Sequence, residues 1–265
     1  MDKYIVIRNI GEGAFGKVWL AKKKSDNDLV AIKVMTKNAD NIRSFNREVQ
    51  TLKKLGHGCP YVVHMQEYFK DEKFFYIVMD YIAGLTLGGS AFPKDKWIHL
   101  AKNLIDTVRC IHRVGITHGD IKPENIMITE NSEIKLLDFG QGCIYNADEE
   151  ICETGGTPYY LSPEKIKYLD VYEMPFKASV ASDIWALATV LYLMAYGQRP
   201  YSASNRRELY SKIIENDPTF FRGDGEKEIT NYTIYGHILR ILFDRDIDRR
   251  IKNFNEIDIS FFDTK

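Results

Sequence analysis

The first part of the chain alternates. Ile5 and Ile7 stand between more polar neighbours, Val18 and Leu20 repeat the pattern, and an apolar run covers Val30 to Val34. A period of two reads as strand, so residues 4–34 are predicted to hold three strands. Ser25-Asp26-Asn27-Asp28 is a turn by composition. The period changes over residues 42–55, where Phe45, Val49 and Leu52 recur at helical spacing with charge between them. Residues 61–68 and 74–81 read as two further strands. Ile82-Ala83-Gly84 is taken as a linker, and beyond it the pattern turns mostly helical. Trp97, Leu100, Ala101, Leu104, Ile105, Val108 and Ile111 line one face of a long helix. The expectation is an α+β fold in two lobes making one domain over 1–265. A small N-terminal antiparallel-sheet lobe (about 1–82) carries one helix, and a larger lobe (about 83–265) is mainly helical.

Composition narrows the classes. The chain has 265 residues, 45% hydrophobic and 28% charged, enough for a sizeable core. A net charge of −1 gives no broad pull toward nucleic acid or anionic lipid, so neither is expected as a partner. The most apolar run, Ile184 to Tyr196, is shorter than the ~20 residues of a membrane span and reads as a helix buried on all sides. Met1-Asp2-Lys3-Tyr4 enters a strand pattern at once, with no signal-peptide pattern. The four cysteines (Cys59, Cys110, Cys143, Cys152) have no C-x-x-C spacing and are expected as free thiols in a reducing compartment. The location implied is intracellular, cytoplasmic or nuclear. Nothing in the pattern sets an oligomeric state.

Three motifs carry chemistry. Gly11-Glu12-Gly13-Ala14-Phe15-Gly16-Lys17-Val18 is a G-x-G-x-x-G turn, weak by itself, whose Gly11, Gly13 and Gly16 let backbone approach phosphates closely. His118-Gly119-Asp120-Ile121-Lys122-Pro123-Glu124-Asn125 follows the long helix, and Asp138-Phe139-Gly140 comes eighteen residues after Asp120. Taken as independent, the three patterns coincide by chance in fewer than about one chain in a million. Asp120 can steer a hydroxyl nucleophile, while Asn125 and Asp138 can hold a divalent metal. Phosphoryl transfer from a metal-bound nucleotide needs those parts together. Val30-Ala31-Ile32-Lys33 adds a strand lysine.

In this order the residues resemble the eukaryotic-type protein kinase family, serine/threonine branch, from about Tyr4 to about Phe262, with Ser162-Pro163-Glu164 where the family writes A-P-E. The resemblance implies a kinase fold, ATP and Mg²⁺ as cofactors and a protein substrate. It assigns Lys33 to the α- and β-phosphates with Glu48 as its acidic partner. It assigns Asp120 to the acceptor hydroxyl, Lys122 to the moving phosphoryl group, and Asn125 and Asp138 to Mg²⁺. Phe15 caps the phosphates, Val18 and Ala31 roof the adenine, Met127 is its floor, and Met79, Asp80 and Ile82 border it. Thr157, in Gly156-Thr157-Pro158-Tyr159-Tyr160, bridges Asp120 and Lys122. Glu164 pairs with Arg250, Asp183 props the catalytic loop, and His118 packs beneath Phe139 with Leu52 and Met65. A nucleotide-binding pseudokinase scaffold is the alternative, but such scaffolds usually lose Lys33, Asp120 or Asp138, and all three are present here.

Departures from the family pattern are informative. Gly119 stands where most members have an arginine that grips a phosphate on the activation loop. Activity is therefore expected without loop phosphorylation; Asp148, Glu149, Glu150 and Glu153 are either acidic stand-ins for that phosphate or, as the more ordinary reading of such a run, a solvated acidic loop. Glu124 and that acidic loop favour a basic peptide, while Thr86 replaces a second acid common in basophilic relatives. Ser162, Ala188 and Ile247 replace alanine, glycine and proline.

Overall fold

The computed structural model describes residues 1–13, 16–145, 155–171, 179–220 and 234–258. β1 (Tyr4–Gly13), β2 (Gly16–Lys23) and β3 (Leu29–Thr36) follow one another as the alternation predicts. α1 (Ala39–Leu55) begins where the Asn38 side chain accepts the Asn41 N–H at 2.8 Å. Phe45, Val49 and Leu52 are buried, so the apolar stripe is the packed face. β4 (Met65–Lys70) and β5 (Phe74–Asp80) complete a five-stranded antiparallel sheet in the order β1-β2-β3-β5-β4.

Residues 61–64, read from sequence as the start of β4, are not strand in this sheet. The backbone of 61–63 is committed to the other lobe, the Leu136 N–H donating to the Tyr61 carbonyl at 2.8 Å and the Val63 N–H to the Leu136 carbonyl at 3.0 Å, while the His64 carbonyl accepts the Asp80 N–H of β5 at 3.0 Å. Val62 and Val63 are buried, so their apolar character reports burial between lobes rather than pairing with β5.

β5 ends at Asp80, and Gly84 already pairs in the next sheet, leaving 81–83 to cross between lobes. The larger lobe then runs through β6 (Gly84–Thr86), α2 (Lys94–Arg113), β7 (Ile116–Thr117), β8 (Ile126–Thr129), β9 (Ile134–Leu136), β10 (Cys143–Ile144), α3 (Pro163–Ile166), α4 (Val180–Tyr196), α5 (Arg206–Glu215), α6 (Ile234–Leu242) and α7 (Ile247–Glu256). The seven apolar positions predicted along α2 are all buried. α4 is the centre of this lobe. Thirteen of its seventeen residues are buried, which leaves it no polar face. Among the described residues no helix is long and apolar enough to cross a membrane.

The local departures have local compensations. The Ser162 hydroxyl caps α3 and lies 3.2 Å from the Ser182 hydroxyl. Without proline at 247, α7 is started by Asp246, whose side chain accepts the Arg249 N–H at 2.9 Å. Ala188 is fully buried inside α4, where alanine favours helix by about 1 kcal/mol over glycine.

The cysteine expectation fails for Cys59 and Cys110, which form a disulfide across 51 residues of sequence. Cys143 is also disulfide-bonded; Cys152 lies outside the described residues. The pairing joins the segment after α1 to the last turn of α2, so it reaches from one lobe's helix to the other's. With these thiols paired, the cysteines no longer argue for a reducing compartment.

A buried ion pair ties α3 to α7. Arg250, fully buried, donates to Glu164 through both terminal nitrogens at 2.8 and 3.3 Å, and to the carbonyls of Ala181 and Asp244. Its guanidinium also lies over the Trp185 ring. Glu164→Ala leaves that cation without its carboxylate and should cost about 3–5 kcal/mol. A urea titration would read this as a lowered midpoint, and an unchanged midpoint would refute it.

Candidate active site

The sheet builds the upper half of the site. Ala31 and Lys33 lie two apart on β3 and share a face. Val18 is the β2 partner of Lys33, and Met79 the β5 partner of Ala31. With Gly11, Gly13 and Gly16 from the β1–β2 turn, they line a cleft of about 710 Å³. That volume suits a drug-sized ligand. Asp80, Ile82 and Met127 line the same cleft. Phe15 lies outside the described residues.

Lys33 is buried at the back. Its ammonium donates to Glu48 Oε2 at 2.7 Å and to Asp138 Oδ1 at 2.8 Å, joining β3, α1 and the segment after β9. Burial works against the Lys33 charge, but Glu48 and Asp138 more than offset it and hold its pKa above the ordinary lysine value. Burial pushes the Glu48 carboxyl up to about 7 against the pull of Lys33. Asp138 goes the other way. Burial disfavours its charge, yet Lys33 and the Gly140 N–H bring it down to about 2. Its side chain is 39% exposed against 1% for Glu48, so Asp138 is the carboxylate more open to the cleft. Asp138 adopts φ 59°, a left-handed conformation that aspartate tolerates better than most residues.

The lower half comes from the loop between β7 and β8. Asp183, at the start of α4, accepts the His118 N–H at 2.8 Å and the Gly119 N–H at 2.9 Å, and meets His112 Nε2 at 2.9 Å. Burial opposes its charge, but those partners hold the carboxyl below the usual range. So fixed, the loop presents Asp120. Lys122 Nζ donates to Asp120 Oδ2 at 2.6 Å and to the Thr157 hydroxyl at 3.0 Å, and that hydroxyl donates to Asp120 Oδ1 at 2.9 Å. Asn125 spends its amide N–H on the Asp120 carbonyl at 2.9 Å, leaving its amide oxygen as the acceptor. His118 stacks edge-on against Phe139 at 4.7 Å and bonds the Leu137 carbonyl.

The chain matches the model for the protein kinase domain over residues 4–251. It belongs to the protein kinase family. Serine/threonine-protein kinase 36 of Pongo abelii is 31% identical over 82% of this chain and 16% of its own length. Nek1 of Mus musculus is 35% identical over 81% of this chain and 18% of its own. The cds1 kinase of Schizosaccharomyces pombe is 35% identical over 81% of this chain and 51% of its own. The kinase domain thus spans from under a fifth to about half of these relatives.

Among the described residues no three His, Cys, Asp or Glu side chains cluster as a metal site. Magnesium bound beside a nucleotide needs only one or two protein ligands, the phosphates and water supplying the rest. The half-buried Asp138 carboxylate and the Asn125 amide oxygen, both lining the cleft, fit that demand. Val63 and Leu137 also line the cleft and were not singled out from sequence. Leu137 was within reach, as the residue before Asp138. Val63 was hidden in a stretch read as strand. Gln141 and Lys165 were missed as well, since neither belongs to a motif.

Gly119 has φ 79°, and a β-carbon built there would run into the carbonyl oxygen of Gln141. Glycine lets the catalytic loop and the residue after Asp138-Phe139-Gly140 touch. Gly119→Ala should therefore lower unfolding free energy by about 1–2 kcal/mol or more, from backbone strain plus the clash. Chemical denaturation checks it; a variant as stable as the parent would show that the contact is dispensable.

Proposed function

We propose that the kinase domain is an ATP- and Mg²⁺-dependent serine/threonine protein kinase. The observation that carries this reading is the bonded set Asp120–Lys122–Thr157 in the same cleft as the Lys33–Asp138 pair. In it, Lys33 binds the α- and β-phosphates as a point charge and Glu48 fixes that lysine. Gly11, Gly13, Gly16 and Phe15 cover the phosphates. Val18, Ala31, Met79, Asp80, Ile82 and Met127 enclose the base. Asn125 and Asp138 are the residues to hold Mg²⁺, which neutralises phosphate charge when bound. Asp120 accepts or orients the proton of the acceptor hydroxyl, and Lys122 balances charge on the transferring group. Thr157 keeps both in register. With labelled ATP, Mg²⁺ and a basic protein, turnover of about 1–100 per second is expected. Asp120→Asn should remove nearly all of it while leaving nucleotide binding intact. Equal transfer by both chains would sink the assignment.

The reading extends to regulation. With glycine at 119 there is no guanidinium to grip a loop phosphate. Support comes from a neutral contact: the Gly155 N–H donates to Gln141 Oε1 at 3.2 Å, joining two points of the activation loop, which runs from Asp138 to Glu164, without phosphate. The acidic residues Asp148, Glu149, Glu150 and Glu153 lie outside the described residues. Chain made in bacteria and stripped by phosphatase should keep most of its activity; loss of that activity refutes phosphate independence.

Glu124 is exposed where the catalytic loop lines the cleft, near Thr86. A basic residue before the acceptor is the favoured peptide feature. Glu124→Gln should lower the preference for arginine-containing peptides on an array, and an unchanged profile would discard the proposal.

A further inference from the structure

Lys165 follows Glu164 in α3, between the buried ends of that short helix. It is itself 3% exposed, which is rare for lysine. Its ammonium lies at the seam between two segments of the active site. A β-carbon built at Gly156 would sit 3.4 Å from Lys165 Nζ and 3.8 Å from the Gly119 carbonyl oxygen. Lys165 shares a small cavity of about 10 Å³ with Gly119, Asp120, Gly156, Thr157 and Asp183. Such a space holds about one water at most.

Burial brings the Lys165 ammonium down to about 8 against the upward pull of Asp183, Asp120 and Glu164. A buried cation of this kind contributes little to stability, and an apolar side chain of similar volume is often neutral or better. Position gives it a role that stability does not. Asp183 holds the catalytic loop through two backbone N–H groups from one side. Gly156 has no side chain there, and the space beside it is shared by Leu161 Cδ2 and Lys165 Nζ, with the Gly119 carbonyl at its edge.

We propose that Lys165 is a positioning residue that locks the catalytic loop to the 155–157 segment, holding Thr157 against Asp120 and Lys122. Its catalytic consequence rests on the kinase reading above; the lock itself does not.

The test uses the full chain with Lys165→Met, which keeps length and removes charge, and Lys165→Arg, which keeps charge. Amide hydrogen exchange is read by mass spectrometry without nucleotide. Lys165→Met should speed exchange roughly tenfold or more in peptides covering 117–121 and 155–158, with α4 and the five-stranded sheet unchanged. Its kcat on a peptide should fall roughly tenfold or more while KM for ATP stays within about twofold. Lys165→Arg should return both readouts to within about threefold of the parent. Parent-like exchange in both segments overturns the proposal, as does a lowered melting temperature with kcat unchanged. If Lys165→Met does not fold, the arginine variant decides. Near-parent exchange and kcat support a lock made by charge; a loosened or misfolded arginine variant makes Lys165 a shape-fitting core residue and overturns it. A parent chain without transferase activity, whose exchange still responds to Lys165→Met, would remove the kinase reading and leave the lock standing.

Discussion

The structure depends first on a buried ammonium shared by two carboxylates. Lys33 comes from the sheet, Glu48 from α1 and Asp138 from the segment after β9. Three separate pieces of chain are thereby brought to one point. The desolvation of a lysine is tolerable there only because the acids sit within hydrogen-bond distance. Burial penalises both charges, but Asp138 also accepts the Gly140 N–H, while Glu48 is pushed up further by Asp138 beside it. Glu48 is walled off and its carboxyl is pushed up, whereas Asp138 keeps contact with the cleft and its charge. A helix that swung away from the sheet would leave Lys33 with half its partners, so the placement of α1 and the competence of the cleft are one question.

The larger lobe uses buried charge in the same way, on the scaffold under the reacting groups. Asp183 grips the backbone of the catalytic loop, and Arg250 grips α3 through Glu164 and α4 through the Ala181 carbonyl. Each is a single buried side chain making several hydrogen bonds within the core. Around them the packing is apolar and dense, with Trp97 and Trp185 almost wholly enclosed. The hydrophobic core supplies the burial, while the charges decide which way loops and helix ends point.

Glycine at 119 changes how the catalytic loop meets the activation segment. A missing side chain gives Gln141 room to approach, and Gln141 in turn reaches Gly155. The seam between Gly119 and Gly156 is met by Leu161 and Lys165. Asp120 is held by Lys122, Thr157 and Asn125, and the segments around it meet without the long cationic side chain usual at position 119 in the family.

Much of this was legible in the chain itself. Strand alternation, the helical stripe of α1 and the uniform apolarity of α4 follow from periods that any window of residues displays. Lys33, Asp120, Asn125 and Asp138 could be named because each sits inside a short motif whose spacing is local. Tertiary structure alone decided the rest. Val62 and Val63 look like strand, yet their backbone bonds to Leu136, because burial between two lobes and burial in a sheet leave the same apolar signature. Cys59 and Cys110 pair because the fold carries the end of α1 to α2, a proximity invisible across 51 residues. Nothing in the chain singles out Lys165, whose ammonium is enclosed beside Gly156 in the small cavity it shares with Asp120 and Asp183 only once α3 is docked. Sequence determines which groups can do chemistry; only closure of the chain in three dimensions determines which charges share a low-dielectric space, and hence which of them act together.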